Sequence, residues 1–414
     1  MMPFHRTQLR TLTLLGFIGL LILSPLSAQQ APPEATAEIT PEATTDATPA
    51  PCVQVDGANG PCTYETLINP LTGLPVADSA ILARRPIVVK ISNSPALVRP
   101  QAGLNDADLV FEHYTEVGIT RFSGVFYGNS PSRVGSMRSA RLIDYELVPM
   151  YDGLLAFAGA SIGVDKRIYG SEAVIESLCA TREDYEQCRL EADIIGPPGF
   201  AAPSDFVDQA YKAVLFGAPS FYRDETIPVP HNLFVDLEAL WQRAERDGVA
   251  TRERDLHGMG FHPEVQNTPD GSGVYAQVRY MTTLVEWHYD VNSNRYYRST
   301  DGQLHYDANI DEQVSAANVI IVYAGHYLTD IIESQYADTI HWSAQITVWP
   351  QGDAIILRDG LRFEGRWLRP TRTDQLTFVT DDGETIYLQP GNTWVQLMPL
   401  PEQLNPDNEW VIVE

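Results

Sequence analysis

Positive charge is scarce in this 414-residue chain: 28 Lys and Arg stand against 54 Asp and Glu, a formal charge of −26. A protein that tracks a phosphate backbone needs a basic face, so this balance argues against a nucleic-acid partner. Long apolar runs are missing too. The mainly apolar stretch Leu12 to Leu23 spans twelve residues, whereas a membrane-crossing helix takes about 20. No second such stretch follows. Cysteine is sparse, with four in all, no C-x-x-C pair and no His within four residues of any Cys. That spacing disfavours a zinc site. No nucleotide, haem or metal signature appears, so no cofactor is expected. Internal repeats are absent.

What is present reads first as an address. Arg6 and Arg10 precede the apolar stretch, no acid accompanies them, and Leu26-Ser27-Ala28 supplies a small-residue exit. Residues 1–28 therefore read as a secretory signal peptide of an exported protein, with an uncleaved membrane anchor as the alternative. Residues 29–51 hold six Ala, five Pro, five Thr and four acids, with no cation and no aromatic. Such a segment buries too little to offset its ordering entropy and reads as a disordered linker. In an exported chain an even cysteine count allows disulfides. Spacings of ten and nine residues favour Cys52 with Cys62 and Cys179 with Cys188, although four cysteines permit three connectivities.

The remainder, with 44% apolar and 20% charged residues over the whole chain, is globular in composition and long enough for two domains. Residues 52–250 mix periods. Ile87–Ile91, Leu109–Tyr114 and Thr120–Tyr127 read as strands, the last two as a hairpin around Gly118. Leu154–Ala158 reads as a buried strand. Ala140, Ile143 and Leu147 recur at helical spacing with Ser139 as N-cap. Phe206, Val207, Ala210 and Val214 mark another helix, and Leu237, Leu240, Trp241 and Ala244 a third, capped by Asp236 and stopped near Gly248. The expectation is an α/β or α+β N-terminal domain whose sheet is not purely parallel. Residues 251–272, rich in His, Pro, Gly and charge, read as a linker. Residues 273–414 carry turn signals at Asn292-Ser293-Asn294, Asp301-Gly302, Asp359-Gly360, Asp382-Gly383 and Pro390-Gly391, and read as a mainly antiparallel β domain.

Certain stretches carry a family resemblance. In the first domain they are Asn69-Pro70-Leu71-Thr72-Gly73-Leu74-Pro75, Arg99-Pro100-Gln101-Ala102-Gly103-Leu104, Gly118-Ile119-Thr120-Arg121-Phe122, Gly135-Ser136-Met137-Arg138-Ser139-Ala140-Arg141 and Gly159-Ala160-Ser161. In the second they are Tyr296-Tyr297-Arg298, His305-Tyr306-Asp307, Gly365-Arg366-Trp367 and Pro390-Gly391-Asn392-Thr393-Trp394. In this order the chain resembles the YerB-like bacterial lipoproteins, domain of unknown function 3048, over roughly residues 68–400. The resemblance implies a two-domain extracytoplasmic protein with no established activity. The chain departs from it in lacking a Cys at the exit of the apolar stretch and in carrying Phe157-Ala158 where a His often precedes the Gly-x-Ser turn.

Three constellations carry chemistry. Arg138 and Arg141, three apart at an expected helix start, would share a face beside exposed backbone N–H groups; with Ser139, Arg121 and Arg99 they form a candidate site for a phosphate or carboxylate. The competing reading pairs these arginines with Asp108, Glu112, Glu146 and Asp152. Gly159-Ala160-Ser161-Ile162-Gly163 fits a G-x-S-x-G turn with Ser161 as candidate nucleophile, served by His231, His257 or His262 with Asp205 or Asp236. The next residues, Val164-Asp165-Lys166-Arg167, do not read as a helix entering from Ser161. Glu112 and Asp152 are a candidate acid–base pair. Glu286, His288 and Asp290 share a strand face near His305 and Asp307, which reads as a solvated face ahead of a metal site. Tyr and Trp abound in the second domain and read as core ahead of a glycan platform. The expectation is an envelope protein that holds an anionic wall polymer, a phosphate-bearing precursor or a protein partner. The alternatives are an envelope hydrolase or transferase and a non-catalytic scaffold.

Overall fold

The computed structural model describes residues 55–180, 183–194, 202–336 and 338–414. The segment read as a signal peptide, the stretch 29–51 read as a linker, and Cys52 lie outside the described residues. Among the described residues no helix is long and apolar enough to cross a membrane.

One large mixed sheet organises the molecule. Its strands are β1 (Ile87–Ser92), β2 (Leu109–Tyr114), β3 (Thr120–Phe126), β4 (Leu154–Phe157), β5 (Ala210–Lys212) and, from the second half, β9 (Asn318–Tyr336), β10 (Thr339–Thr347), β11 (Gln351–Arg358), β12 (Leu361–Leu368), β13 (Thr377–Val379) and β14 (Thr393–Pro399). The order is β13-β12-β11-β9-β14-β2-β3-β1-β4-β5. β10 pairs with β9, and a two-residue strand pairs with β12. The predicted β2–β3 hairpin forms, with Tyr114 opposite Thr120. β14 runs parallel to both β9 and β2, and β1 runs parallel to β4. The N-terminal region is thus mixed α/β and the C-terminal region mainly antiparallel β, with a single sheet passing through both.

Both faces of this sheet are covered, which is why its strands read as continuous apolar runs and not as alternations. Val88, Phe111, Val125 and Leu155 face α1 (Asp144–Tyr151) and α2 (Ile162–Tyr169). Val89, Val110, Phe122 and Ala156 face α5 (Leu237–Asp247) and a second, antiparallel sheet. That sheet contains β6 (Tyr275–Tyr280), β7 (Thr283–Asp290), β8 (Arg295–Thr300) and β15 (Trp410–Val413). α5 starts on Asp236, whose carboxylate accepts from Ala239 N, and stops at Gly248 in the left-handed region, as expected.

Three expectations change. The helix read from Ser139 begins at Asp144 instead. Arg138 N donates to Lys90 O, Ala158 N to Arg138 O and Ala140 N to Gly159 O, so segment 138–140 is held extended between β1 and the exit of β4. Second, Phe206 to Val214 is no helix but a 3-10 turn (Val207–Gln209), then β5, then a short helical turn (Ala213–Phe216); β5 completes the parallel edge beside β4. Third, the stretch 251–272 is packed and not a free spacer: Leu256, Met259 and Phe261 are buried, and Phe261 bridges Asn59 and Leu388.

Cys179 and Cys188 are disulfide-bonded, joining α3 (Ser171–Cys179) to α4 (Tyr185–Ile194). Trp287, Trp367 and Trp394 are buried core side chains, so they offer no glycan platform.

Candidate functional site

The sheet face that packs α1 turns polar toward the C-terminal end of β1. Lys90 follows Val88 on that face and is fully buried, with Ser123 opposite it on β3. Its ammonium donates to Ser123 Oγ at 2.6 Å and lies 3.0 Å from His113 Nε2 and 2.9 Å from Asp144 Oδ1. His113 Nδ1 sits 3.0 Å from Tyr114 O, which assigns the proton to Nδ1 and leaves Nε2 as acceptor for Lys90. Burial, then the Lys90 charge, holds His113 neutral. Burial also draws Lys90 down to about 8, against the pull of Asp144.

Above this base sit the predicted arginines. Arg121 and Arg141 are each 7% exposed. Arg141 grips Glu116 as a fork, Nε to Oε2 at 2.8 Å and Nη2 to Oε1 at 2.5 Å, and lies 3.3 Å from Glu333 Oε2. Arg121 donates to Ser139 O at 3.0 Å and reaches Glu116 at 3.4 Å. Burial raises Glu116, but the hydrogen bond and charge of Arg141, joined by Arg121, outweigh it and hold that carboxyl at about 2. Arg138 is different. It is half-buried, donates to Met137 O and Pro230 O at 3.2 and 2.9 Å and contacts His231 Nδ1, and among the described residues no carboxylate pairs with it. Its charge also bears on Arg121. Desolvation and then Arg138 lower the proton affinity of His231, which keeps Nδ1 an acceptor.

Ser161 is part of the same place. β4 ends at Phe157, the chain turns through Gly159 and Ala160, and α2 starts at Ile162 with Ser161 as its N-cap, Oγ accepting from Val164 N at 3.4 Å. The helix does enter directly from Ser161, contrary to expectation: Val164 and Ile168, four apart, are its buried stripe. The site therefore lies beyond the C-terminal ends of two parallel strands, where open α/β sheets place ligands. Lys90, Arg121, Arg138 and Arg141 face Asp144, Glu116 and Glu333 there, a local positive excess in an acidic chain.

Other candidates lie elsewhere. Arg99 pairs with Asp301 and Asn93 and joins a different cluster. There Glu112 accepts from Thr120 and Asn93 and pairs with Arg298 at 2.8 Å, both side chains wholly enclosed. Asp152 caps α1 in the left-handed region, pairs with Arg85 and accepts from Glu253 N. Glu112 and Asp152 share no partner, so the acid–base pair does not assemble. Asp108 accepts from Asn69 and from the Tyr127 and Gly128 amides, and Glu146 pairs with Arg369. None of the four acids expected to neutralise the site arginines does so. Asp236 caps α5, His257 stacks near Tyr64, and His262 lies near Asp56 O, all away from Ser161. On β7, Glu286 accepts from Tyr275 and Asp290 caps the following turn, while His305 is buried against Gln101 and Asp307 accepts from Gly103 and Asn105 amides.

Sequence reasoning missed Glu116, Glu333 and the Lys90 base. A lysine in the middle of Ile87-Val88-Val89-Lys90-Ile91-Ser92 was a usable signal, because a buried strand tolerates a charge only with partners. Glu333 gave none, since it arrives from 170 residues beyond Gly163 in sequence.

The N-terminal domain of "Protein of unknown function (DUF3048)" matches residues 71–250 and its C-terminal domain residues 274–395. A Bacillus subtilis (strain 168) relative described as "Putative lipoprotein YerB" is 26% identical over 352 residues, covering 84% of this chain and 90% of that protein. The crystal structure of the YerB protein from Bacillus subtilis superposes with a TM-score of 0.61 at 25% identity, covering 84% of this chain and all of that one. The resemblance read from the motifs holds across both halves, and the chain belongs to the DUF3048 family.

Proposed function

We propose that this is an exported cell-envelope protein that holds an anionic group, on a wall polymer or a phosphate-bearing precursor, at Arg138, backed by Ser139, Arg121 and Arg141. The lipoprotein description of the Bacillus relative supports the envelope setting. One observation carries the binding: Arg138 is a partly exposed guanidinium whose partners, among the described residues, are carbonyls and an imidazole. A guanidinium so placed retains the charge-assisted bonding that a phosphate or carboxylate takes up. Titrating the protein with glycerol 3-phosphate, with glycerol as control, tests this. Arg138→Ala is expected to lower affinity about tenfold or more, the loss of one charged hydrogen bond, with unchanged melting. Equal affinity in the variant overturns the reading.

A second reading, acyl transfer from Ser161, is favoured by the strand–turn–helix setting of that serine. No His ring bonds it among the described residues. A serine-reactive fluorophosphonate that labels the protein but not Ser161→Ala supports this reading; absence of labelling removes it.

A further inference from the structure

The β9–β10 hairpin belongs to the second half of the chain, yet it supplies the acid at this site. Beyond Gly325, β9 pairs with β10, and the register slips: Ile332 faces Trp342 while Ser334 faces His341. Two steps on β9 match one on β10, so Glu333 is the extra residue of a β-bulge. Bulges re-aim a side chain, and they gather beside functional sites. Here the bulge turns Glu333 inward. Its side chain is wholly enclosed and Oε2 lies 3.3 Å from Arg141. Oε1 accepts from Ser343 at 2.7 Å, and the Ser161 hydroxyl favours the charged form of the carboxylate. Among the described residues no donor is aligned for a hydrogen bond to Oε2. Ile331, two residues earlier, seats the hairpin on α2, where a Cβ on Gly163 would come within 2.6 Å of it.

A carboxylate lies here between an arginine, a serine and the start of a helix, with Oε2 ion-paired to Arg141 but without an aligned hydrogen bond. Arg141 holds Glu116 as a two-point fork and Glu333 only by this longer contact, so the Glu333 contact is the weaker of the two and the more readily exchanged for a ligand carboxylate. We propose that Glu333 is the built-in occupant of a carboxylate-binding pocket formed by Arg141, Arg121 and Ser161, and that a ligand carboxylate takes its place when the hairpin lifts. This rests on the reading of the region as an anion site and specifies its chemistry: a planar carboxylate, as on a peptide C terminus or an acidic sugar. Glu333 and the ligand compete for the same arginine, so the ligand binds with an affinity reduced by the fraction of molecules in which Glu333 has left. Burial is the main force raising the Glu333 carboxyl above its ordinary range, which marks it as a reluctant occupant.

The test titrates the full chain with acetyl-dialanine and with its C-terminal amide, followed by calorimetry. Glu333→Gln keeps the shape and the Ser343 contact but removes the competing charge. It is expected to bind the free acid about tenfold more tightly than the unsubstituted protein, with no change for the amide. Glu333→Asp, which retracts the charge by one methylene, is expected to fall between. Adding Arg141→Ala to Glu333→Gln is expected to erase the gain. Equal affinity in the unsubstituted protein, Glu333→Gln and Glu333→Asp overturns the proposal, even where Arg138→Ala still weakens glycerol 3-phosphate. If no variant binds either anion, both this proposal and the Arg138 reading fall.

Discussion

Two charged clusters sit on opposite faces of the same sheet and are built to different standards. On the face that packs the second sheet, Glu112 and Arg298 join the halves of the molecule in full enclosure. Arg298 lies 5.2 Å from the Phe122 ring centre and 4.9 Å from that of Trp394, and His305 and Gln101 extend the network. On the face that packs α1, the cluster at Arg121, Arg138 and Arg141 reaches the surface and, among the described residues, leaves Arg138 without a carboxylate and one Glu333 oxygen without a hydrogen bond. The first cluster fixes the fold. The second has spare capacity, and spare capacity at the end of parallel strands is what a binding site needs.

The comparison fails if the two clusters respond alike to substitution. Glu112→Ala leaves Arg298 buried without its counter-charge, so a loss of roughly 3–5 kcal/mol is expected in urea unfolding. Glu116→Gln is expected to cost less, on the order of 2–3 kcal/mol near neutral pH, because its pair is partly hydrated. That cost has a pH signature. The folded Glu116 carboxyl sits at about 2 against an ordinary 4.5, so its contribution is complete above the ordinary value and is lost as pH falls through the folded one. The unsubstituted protein is therefore expected to lose stability between pH 4.5 and 2, and Glu116→Gln to flatten that limb; parallel limbs would show that Glu116 is no tighter than an ordinary surface acid. Ser161→Ala removes a long capping bond and is expected to cost about 0.5–1 kcal/mol. Arg138→Ala, at the open end, is expected to change stability by less than about 0.5 kcal/mol while weakening anion binding; a large loss of stability would place Arg138 with the structural cluster.

The contrast also explains what could be read from residues alone. β-branched runs such as Ile87-Val88-Val89 and the capped stripe of Leu237, Leu240, Trp241 and Ala244 announced their elements because local pattern and burial agree there. Ser139 to Leu147 had helical spacing, but Arg138 and Ala140 find backbone partners on β1 and beyond β4, and tertiary pairing overrode the period. Arg121, Arg138 and Arg141, read from the sequence as one cluster, lie near one another, with Ser161 beside them through Glu333. Arg99 was not, because Asp301 from the second half claims it. The acids that neutralise the site were out of reach of local reading, since Glu116 lies in a turn and Glu333 comes from a hairpin of the other half.

The position of β14 has a consequence for how the molecule can come into being. This strand, close to the end of the chain, is wedged between β9 and β2, so the edge of the first half stays open until residues 393–399 arrive. Neither half can finish its hydrogen bonding before those residues are made, and pairings of such sequence separation form slowly. The facing edges of β2 and β9 stay unpaired until residues 393–399 are available. A fragment ending before Thr393 would carry a bare, apolar strand margin and invite self-association.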